Sequence, residues 1–453
     1  MSARPESATS EDPGRQEALE TEYSPLLVFA WATVVGGLVG LVGAIFRILV
    51  LGSGEERLDL FARLRLHRDV SLGLSVATTV VLLSAALFLV RRFAPETSGS
   101  GVQEIEGALD GVRPLRWRRV LPVKFFAGLM SLGGGMVLGR EGPTIQLGGN
   151  FGEMIAERLH MPEAVQRTLV AAGAGAGLSA AFNAPLAGVL FVLEEMRPEF
   201  EYTFTSVQSV VIACAVADVA VRTLTGQGPV ISILSFDSPP LASLWLFPIF
   251  GAIFGVLGLV FERVLVRTLD FFADLPTWGR WLTGPVVGAG IGLLAWLHPN
   301  SVGGGDELIP SILNHPAPAL ALLALFAVRF GTTMVSYGCG APGGIFAPML
   351  ALGTLFGMGY GHFAHAWFPN LIGNAGIFAV AGMGALFTAT VRAPITGIAL
   401  AIELTGNYEQ ILPLLLTCAP ATIVAEMLGS KPVYSVLLER TLRRAGQEPR
   451  RRR

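Results

Sequence analysis

The 453-residue chain is 52% hydrophobic and only 15% charged, with a net charge of -2, where soluble domains carry about 25% charged residues. That balance excludes a soluble globular domain, and so small a net charge speaks against a nucleic-acid partner. The composition is that of a membrane protein: from Pro316 to Ile402 the only Asp, Glu, Lys or Arg residues are Arg329 and Arg392.

In chain order, the first segment (1–24) is polar and acidic without an apolar core, so it reads as a cytosolic tail and not as a signal peptide or presequence. Apolar spans follow near Leu26–Leu51 and Leu72–Val90, each close to the roughly 20 residues that cross a bilayer as a helix. Beyond them the apolar runs shorten and are interrupted by glycine and proline at Gly99–Gly101, Gly139–Pro143 and Gly340–Pro348. Non-helical backbone at membrane depth survives only where it is buried in protein or lines a polar cavity. Broken helices therefore point to a substrate path.

Two of these interruptions match each other. A shift of 205 positions lays GREGPTIQLGGNFG (Gly139–Gly152) on GIFAPMLALGTLFG (Gly344–Gly357), matching Gly139, Pro143, Leu147, Gly148, Phe151 and Gly152. A shift of 209 lays AGAGAGLSAAFNAPLAGVLFVLE (Ala172–Glu194) on AGMGALFTATVRAPITGIALAIE (Ala381–Glu403). The chain thus holds two homologous membrane halves, at 25–225 and 240–440, joined by a segment at 226–239 and followed by a basic tail at 441–453. Paired interruptions in two halves are the sequence pointer to a transporter's binding site. The repeat itself leaves open whether the halves run parallel or inverted.

Each matched interruption starts a helix with glycine and proline, leaving unpaired N–H groups at a dipole end worth roughly half a positive charge. Such an end is an anion site. Two of them meeting in mid-membrane bind a small anion through partial charges alone and can release it again. Glu141 stands at one of the two. Ionised, its carboxylate can take the position of a permeant anion; protonated, it has no such pull and swings aside, which makes it a gate worked by a proton. A charged side chain in the bilayer costs about 2.5–3.5 kcal/mol, so an incidental glutamate is not expected there. The alternative reading is an interfacial Arg140–Glu141 pair in a loop.

SGSGVQEIEGAL (Ser98–Leu109), GREGPTIQLGGN (Gly139–Asn150), GGIFAPMLALG (Gly343–Gly353) and KPVYS (Lys431–Ser435) resemble, in order, the signature segments of the CLC chloride channel and transporter family. The likeness runs from about Ser24 to Arg443 and is nearest to the bacterial proton-coupled chloride antiporters. It implies an all-α polytopic membrane protein with the CLC fold, two inverted-topology repeats of tilted and broken helices. It also implies a homodimer in the lipid bilayer, with one pore per subunit, in the inner membrane of a bacterium.

The activity implied is secondary active exchange of chloride for protons, without catalytic residues, metal site or cofactor beyond the transported ions. By similarity, the backbone amides of Ile345 and Phe346 and the hydroxyls of Ser100 and Tyr434 hold the central anion. Glu141 is then the gate, with Arg140 and Gly142 shaping the outer anion site. Glu195 matches the internal proton-transfer carboxylate, with Glu194 beside it; spacing alone reads the two equally well as helix-end charges paired with Arg197. A passive channel of the family generally lacks an acidic residue at the Glu195 position, and a fluoride exporter is disfavoured by Ser100 and Tyr434. One departure is Val102–Gln103, where many members carry proline; it bears on the local helix start more than on Ser100. No nucleotide-binding regulatory domain is expected, since little chain follows Tyr434.

The remaining features read as structural. GAGAG (Gly173–Gly177) lies in an apolar helix-forming segment, where small residues let helices approach closely. Glu106 and Lys124 are expected to form a buried ion pair. His362, His365 and Trp367 read as an interfacial cluster, and Cys214, Cys339 and Cys418 as reduced packing residues. Short loops rich in arginine, including Arg113, Arg116, Arg118 and Arg119, stay in the cytoplasm, which places both termini there.

Overall fold

The computed structural model describes residues 24–63, 68–196, 200, 202–228, 231, 236 and 238–447. The N-terminal tail, Arg197 and the final arginines lie outside them. Among the described residues the chain forms seventeen α-helices, as expected where the bilayer leaves backbone polar groups no partner but each other. The first half holds α1 (Pro25–Arg63), α2 (Arg68–Phe93), α3 (Val102–Leu109), α4 (Trp117–Gly133), α5 (Glu141–Arg158), α6 (Glu163–Phe182), α7 (Pro185–Glu194) and α8 (Phe204–Thr225). The second repeats the series as α9 (Leu246–Ala273), α10 (Thr277–Leu297), α11 (Leu308–Asn314), α12 (Ala319–Gly338), α13 (Phe346–Trp367), α14 (Gly376–Val391), α15 (Pro394–Thr405) and α16 (Ile411–Met427). A final helix, α17 (Val433–Arg444), has no counterpart. Six helical segments are long and apolar enough to cross a membrane, and the chain is a multi-pass membrane protein.

Small residues set the packing within each half, and they do so at matching places. A Cβ on Gly148 of α5 would lie 2.0 Å from the Gly173 carbonyl oxygen of α6, and one on Gly353 of α13 would lie 2.1 Å from that of Gly382 of α14. The same closeness joins α1 to α8 at Gly36 and Gly40, and α9 to α16 at Gly251 and Gly255. Backbones this near one another gain packing that lipid cannot replace. The GAGAG stretch is therefore a packing surface, and the three cysteines are buried and free.

Three contacts between matching elements show that the halves are inverted. Gly139 and Gly344 form an antiparallel β-bridge, exchanging N–H···O bonds of 2.8 and 2.7 Å. Along α2 and α10, Gly284 faces Ser84, Gly288 faces Val80 and Gly292 faces Ser75, an antiparallel run. The C-terminal Glu194 of α7 accepts the N–H groups of Ile395 and Thr396 at the start of α15 (3.0 and 2.7 Å). Glu403 of α15 returns the arrangement at the start of α7, to Leu186 and Ala187 (3.0 and 2.7 Å). A carboxylate at a helix N-terminus meets both its unpaired donors and its dipole.

Lys124, expected to pair with Glu106, makes its hydrogen bonds to backbone carbonyls. The fully buried Lys124 donates to the carbonyl oxygens of Thr97 (3.0 Å), Gly99 (2.7 Å) and Ser100 (3.0 Å). Three acceptors satisfy its three donors, and the Glu104 carboxylate lies within electrostatic reach. At the matching place 205 residues on, buried Arg329 donates to the carbonyls of Asn300 (2.7 Å), Val302 (3.0 Å) and Gly303 (2.7 Å). His365 contacts the Ile372 carbonyl through Nδ1 at 2.5 Å.

Candidate functional site

The two matched breaks meet at one point. Residue 142 must be glycine there, because a Cβ would lie 2.7 Å from the Ser100 hydroxyl oxygen and 2.9 Å from the Gly344 Cα. Gly101, with φ of 86°, turns the chain directly into α3 at Val102, so Val102–Gln103 supports the helix start without proline. Three helix N-termini, those of α3, α5 and α13, thus open around Ser100, Gly142 and Gly344.

Glu141 is fully buried and forms the first residue of α5. Its Oε1 accepts the N–H of Phe346 at 2.7 Å and of Ala347 at 3.2 Å. Ile345 is the N-cap of α13 and Pro348 has no N–H, so the carboxylate takes the first two donors inside that helix. Phe346, one of the two amides expected at the central anion, carries this contact together with Ala347. Any side chain at Gly344 would fall 2.3 Å from the same oxygen.

Near the carboxylate lie two more groups singled out by sequence. The side chains of Ser100 and Tyr434 are fully buried; their hydroxyls lie within reach of each other and have no other hydrogen-bond partner. Two buried hydroxyls with no partner beyond each other leave unused hydrogen-bonding capacity, which is uncommon in a protein interior. The Tyr434 ring lies 5.7 Å from that of Phe346, which places α17 against the start of α13. Tyr337 of α12, which the sequence did not single out, accepts the Ser100 N–H at 3.3 Å and packs on Gly99.

Arg140 is buried beside Glu141; its Nε donates to the Ala181 carbonyl at 2.9 Å and its Nη1 lies 2.9 Å from Asp306. On α7, Phe191 meets Phe346 edge to face at 5.6 Å, and the Glu195 N–H closes onto the Phe191 carbonyl one turn later. Glu195 is buried at the end of that helix. Its neighbour Glu194 is committed to α15 through two N–H groups and the Thr396 hydroxyl at 2.8 Å. The two glutamates that sequence placed together therefore have different surroundings.

The sequence profile of the voltage gated chloride channel family matches residues 81–426, a span holding the whole of this site apart from Tyr434. The chain belongs to this family. Among CLC proteins it is similar to the H(+)/Cl(-) exchange transporter ClcA of Vibrio cholerae, 50% identical over 434 residues, which cover 94% of this chain and 92% of that protein. The ClcA of Klebsiella pneumoniae is 46% identical over 431 residues, 94% and 91% of the two chains. The crystal structure of a slow cyanobacterial Cl-/H+ antiporter has the same CLC architecture, with a TM-score of 0.90 at 42% identity over 94% of this chain and 100% of that one.

Proposed function

We infer that this chain is a secondary active transporter that exchanges chloride for protons, the activity that its ClcA relatives carry in their names. The observation that carries the reading is Glu141 seated on the Phe346 and Ala347 amides. A carboxylate bound by partial charges at a helix N-terminus is a tethered stand-in for the anion such an end binds. We propose that protonation of Glu141 removes its hold on those amides, so that an arriving chloride takes them and the neutral acid moves aside. The Ser100 and Tyr434 hydroxyls and the Ile345 amide then receive the anion next in line, with Arg140 and Gly142 shaping its approach.

Glu195 is proposed as the proton carrier at the far end of α7, linked to the anion site through the Phe191–Phe346 contact. Glu194, spent on capping α15, is assigned to the scaffold. The repeats, at 25–225 and 240–440, are joined by the segment at 226–239. The protein is proposed to act as a homodimer with one pore per subunit in the inner membrane of a bacterium. Both termini are cytoplasmic in this proposal, on the side of the arginine-rich loop at Arg113–Arg119.

Reconstitution into liposomes tests the exchange directly. With a chloride gradient and no proton gradient, external pH should change as chloride moves, and dissipating the chloride gradient with a second chloride pathway should stop it. Chloride movement without any pH change would make the protein a passive anion pathway.

A further inference from the structure

Arg140 is held from two sides, and one of them is a residue outside the site described so far. The Arg140 side chain is 3% exposed, whereas its ion-pair partner Asp306 is 31% exposed. The pair therefore joins the buried surroundings of Glu141 to the solvent-accessible surface. Asp306 follows the glycine turn whose Gly303 carbonyl binds Arg329, and its Oδ2 lies 3.2 Å from where a Cβ on Gly304 would stand. Arg47, tied to the Asn183 side chain at 2.7 Å, lies near both Arg140 and Asp306, and Arg329 also lies near Asp306. One carboxylate thus lies near three guanidinium groups beside the gate, and Arg140 meets it as an ion pair, with neither Nη1 nor Nη2 in a hydrogen bond.

We propose that Asp306 is a positioning residue acting through Arg140: a second tethered carboxylate in series with Glu141, which an anion approaching on this side must displace to gain the guanidinium. Glu141 occupies the amides of α13, and Asp306 occupies the positive charge in front of them. The ion pair keeps Arg140 from holding chloride tightly at the mouth, which preserves the weak binding that conduction needs. Arg140 does not depend on Asp306 for its place, because its Nε is fixed to the Ala181 carbonyl. Removing the charge therefore frees the guanidinium without releasing it.

This inference rests on the exchange reading, and the test separates the two. Asp306→Asn is reconstituted beside the unsubstituted protein, and initial chloride flux is measured by electrode against chloride concentration, with proton movement recorded in the same vesicles. Expected is a half-saturating chloride concentration lowered roughly three- to tenfold, the scale of one screened charge near a site, with the number of protons moved per chloride unchanged. The double variant Arg140→Gln with Asp306→Asn should show no shift relative to Arg140→Gln alone. Half-saturation that is unchanged or raised in Asp306→Asn, or a shift that persists without Arg140, overturns the role of Asp306. Absence of proton movement in the unsubstituted protein would contradict the exchange reading, and the electrode record would still decide the role of Asp306.

Discussion

The break before α5 and the break before α13 are built from the same glycine and proline frame, Gly139–Pro143 and Gly344–Pro348, yet position 141 is glutamate and its counterpart 346 is phenylalanine. One half offers a carboxylate and the other offers the amides that receive it. Other places repeat faithfully. Gly148 and Gly353 make the same close approach, Lys124 and Arg329 each gather three carbonyls, and Glu194 and Glu403 cap each other's helices. These matched polar residues hold the scaffold, whereas the residues proposed for the ion path lack a polar counterpart. Ser100 stands opposite Gly305, Arg140 opposite Ile345, Glu195 opposite Leu404 and Asp306 opposite Gly101.

Matched positions should fail alike. Gly148→Ala and Gly353→Ala each drive a methyl group to within 2.0 or 2.1 Å of a backbone oxygen, and each should cost about 3 kcal/mol or more. Thermal unfolding and the yield of monodisperse protein in detergent measure this, and one variant tolerated while its twin collapses would break the equivalence. Unmatched positions should spare the fold and change transport. Glu141→Gln keeps the side-chain shape but cannot ionise, so chloride flux should lose its dependence on external pH and carry no protons. A variant that still pumps protons against a gradient would move the gate elsewhere.

The smallest effect is expected at Ser100. Ser100→Pro removes the buried hydroxyl beside Tyr434 and also the N–H given to Tyr337. Uptake of nitrate relative to chloride should rise roughly three- to tenfold, the worth of about one hydrogen bond. Paired flux assays with unchanged selectivity would detach Ser100 from the anion path.

Much of this was legible because close helix contact demands small residues, and small residues leave a pattern that survives in both halves. The offsets of 205 and 209 already aligned Gly139 with Gly344 and Gly173 with Gly382 before any contact was visible. The inversion was legible through the family resemblance and not in the repeat itself, since it resides in the antiparallel sense of the Gly139–Gly344 bridge and of the α2–α10 packing. Lys124 shows a second limit. Sequence displays carboxylates as partners for a buried cation, whereas the carbonyls of a turn, which in fact serve it, belong to every residue and give no signal. Tyr337, Ala347 and Asp306 escaped for a related reason: each is ordinary in its own segment and gains its role from a distant one. Glu194 and Glu195, adjacent in sequence, were grouped together until the cap on α15 separated them.

That adjacent pair offers the most direct test of the distinction between matched and unmatched residues. Glu195→Gln and Glu194→Gln are reconstituted side by side, and chloride-driven proton uptake is measured together with chloride binding by calorimetry. Expected is complete loss of proton uptake in Glu195→Gln with chloride affinity kept. In Glu194→Gln, proton coupling should persist, with a stability loss of about 1 kcal/mol, the usual cost of a weakened helix cap. Coupling abolished at Glu194 and retained at Glu195 would contradict the assignment of the proton path to the residue without a counterpart.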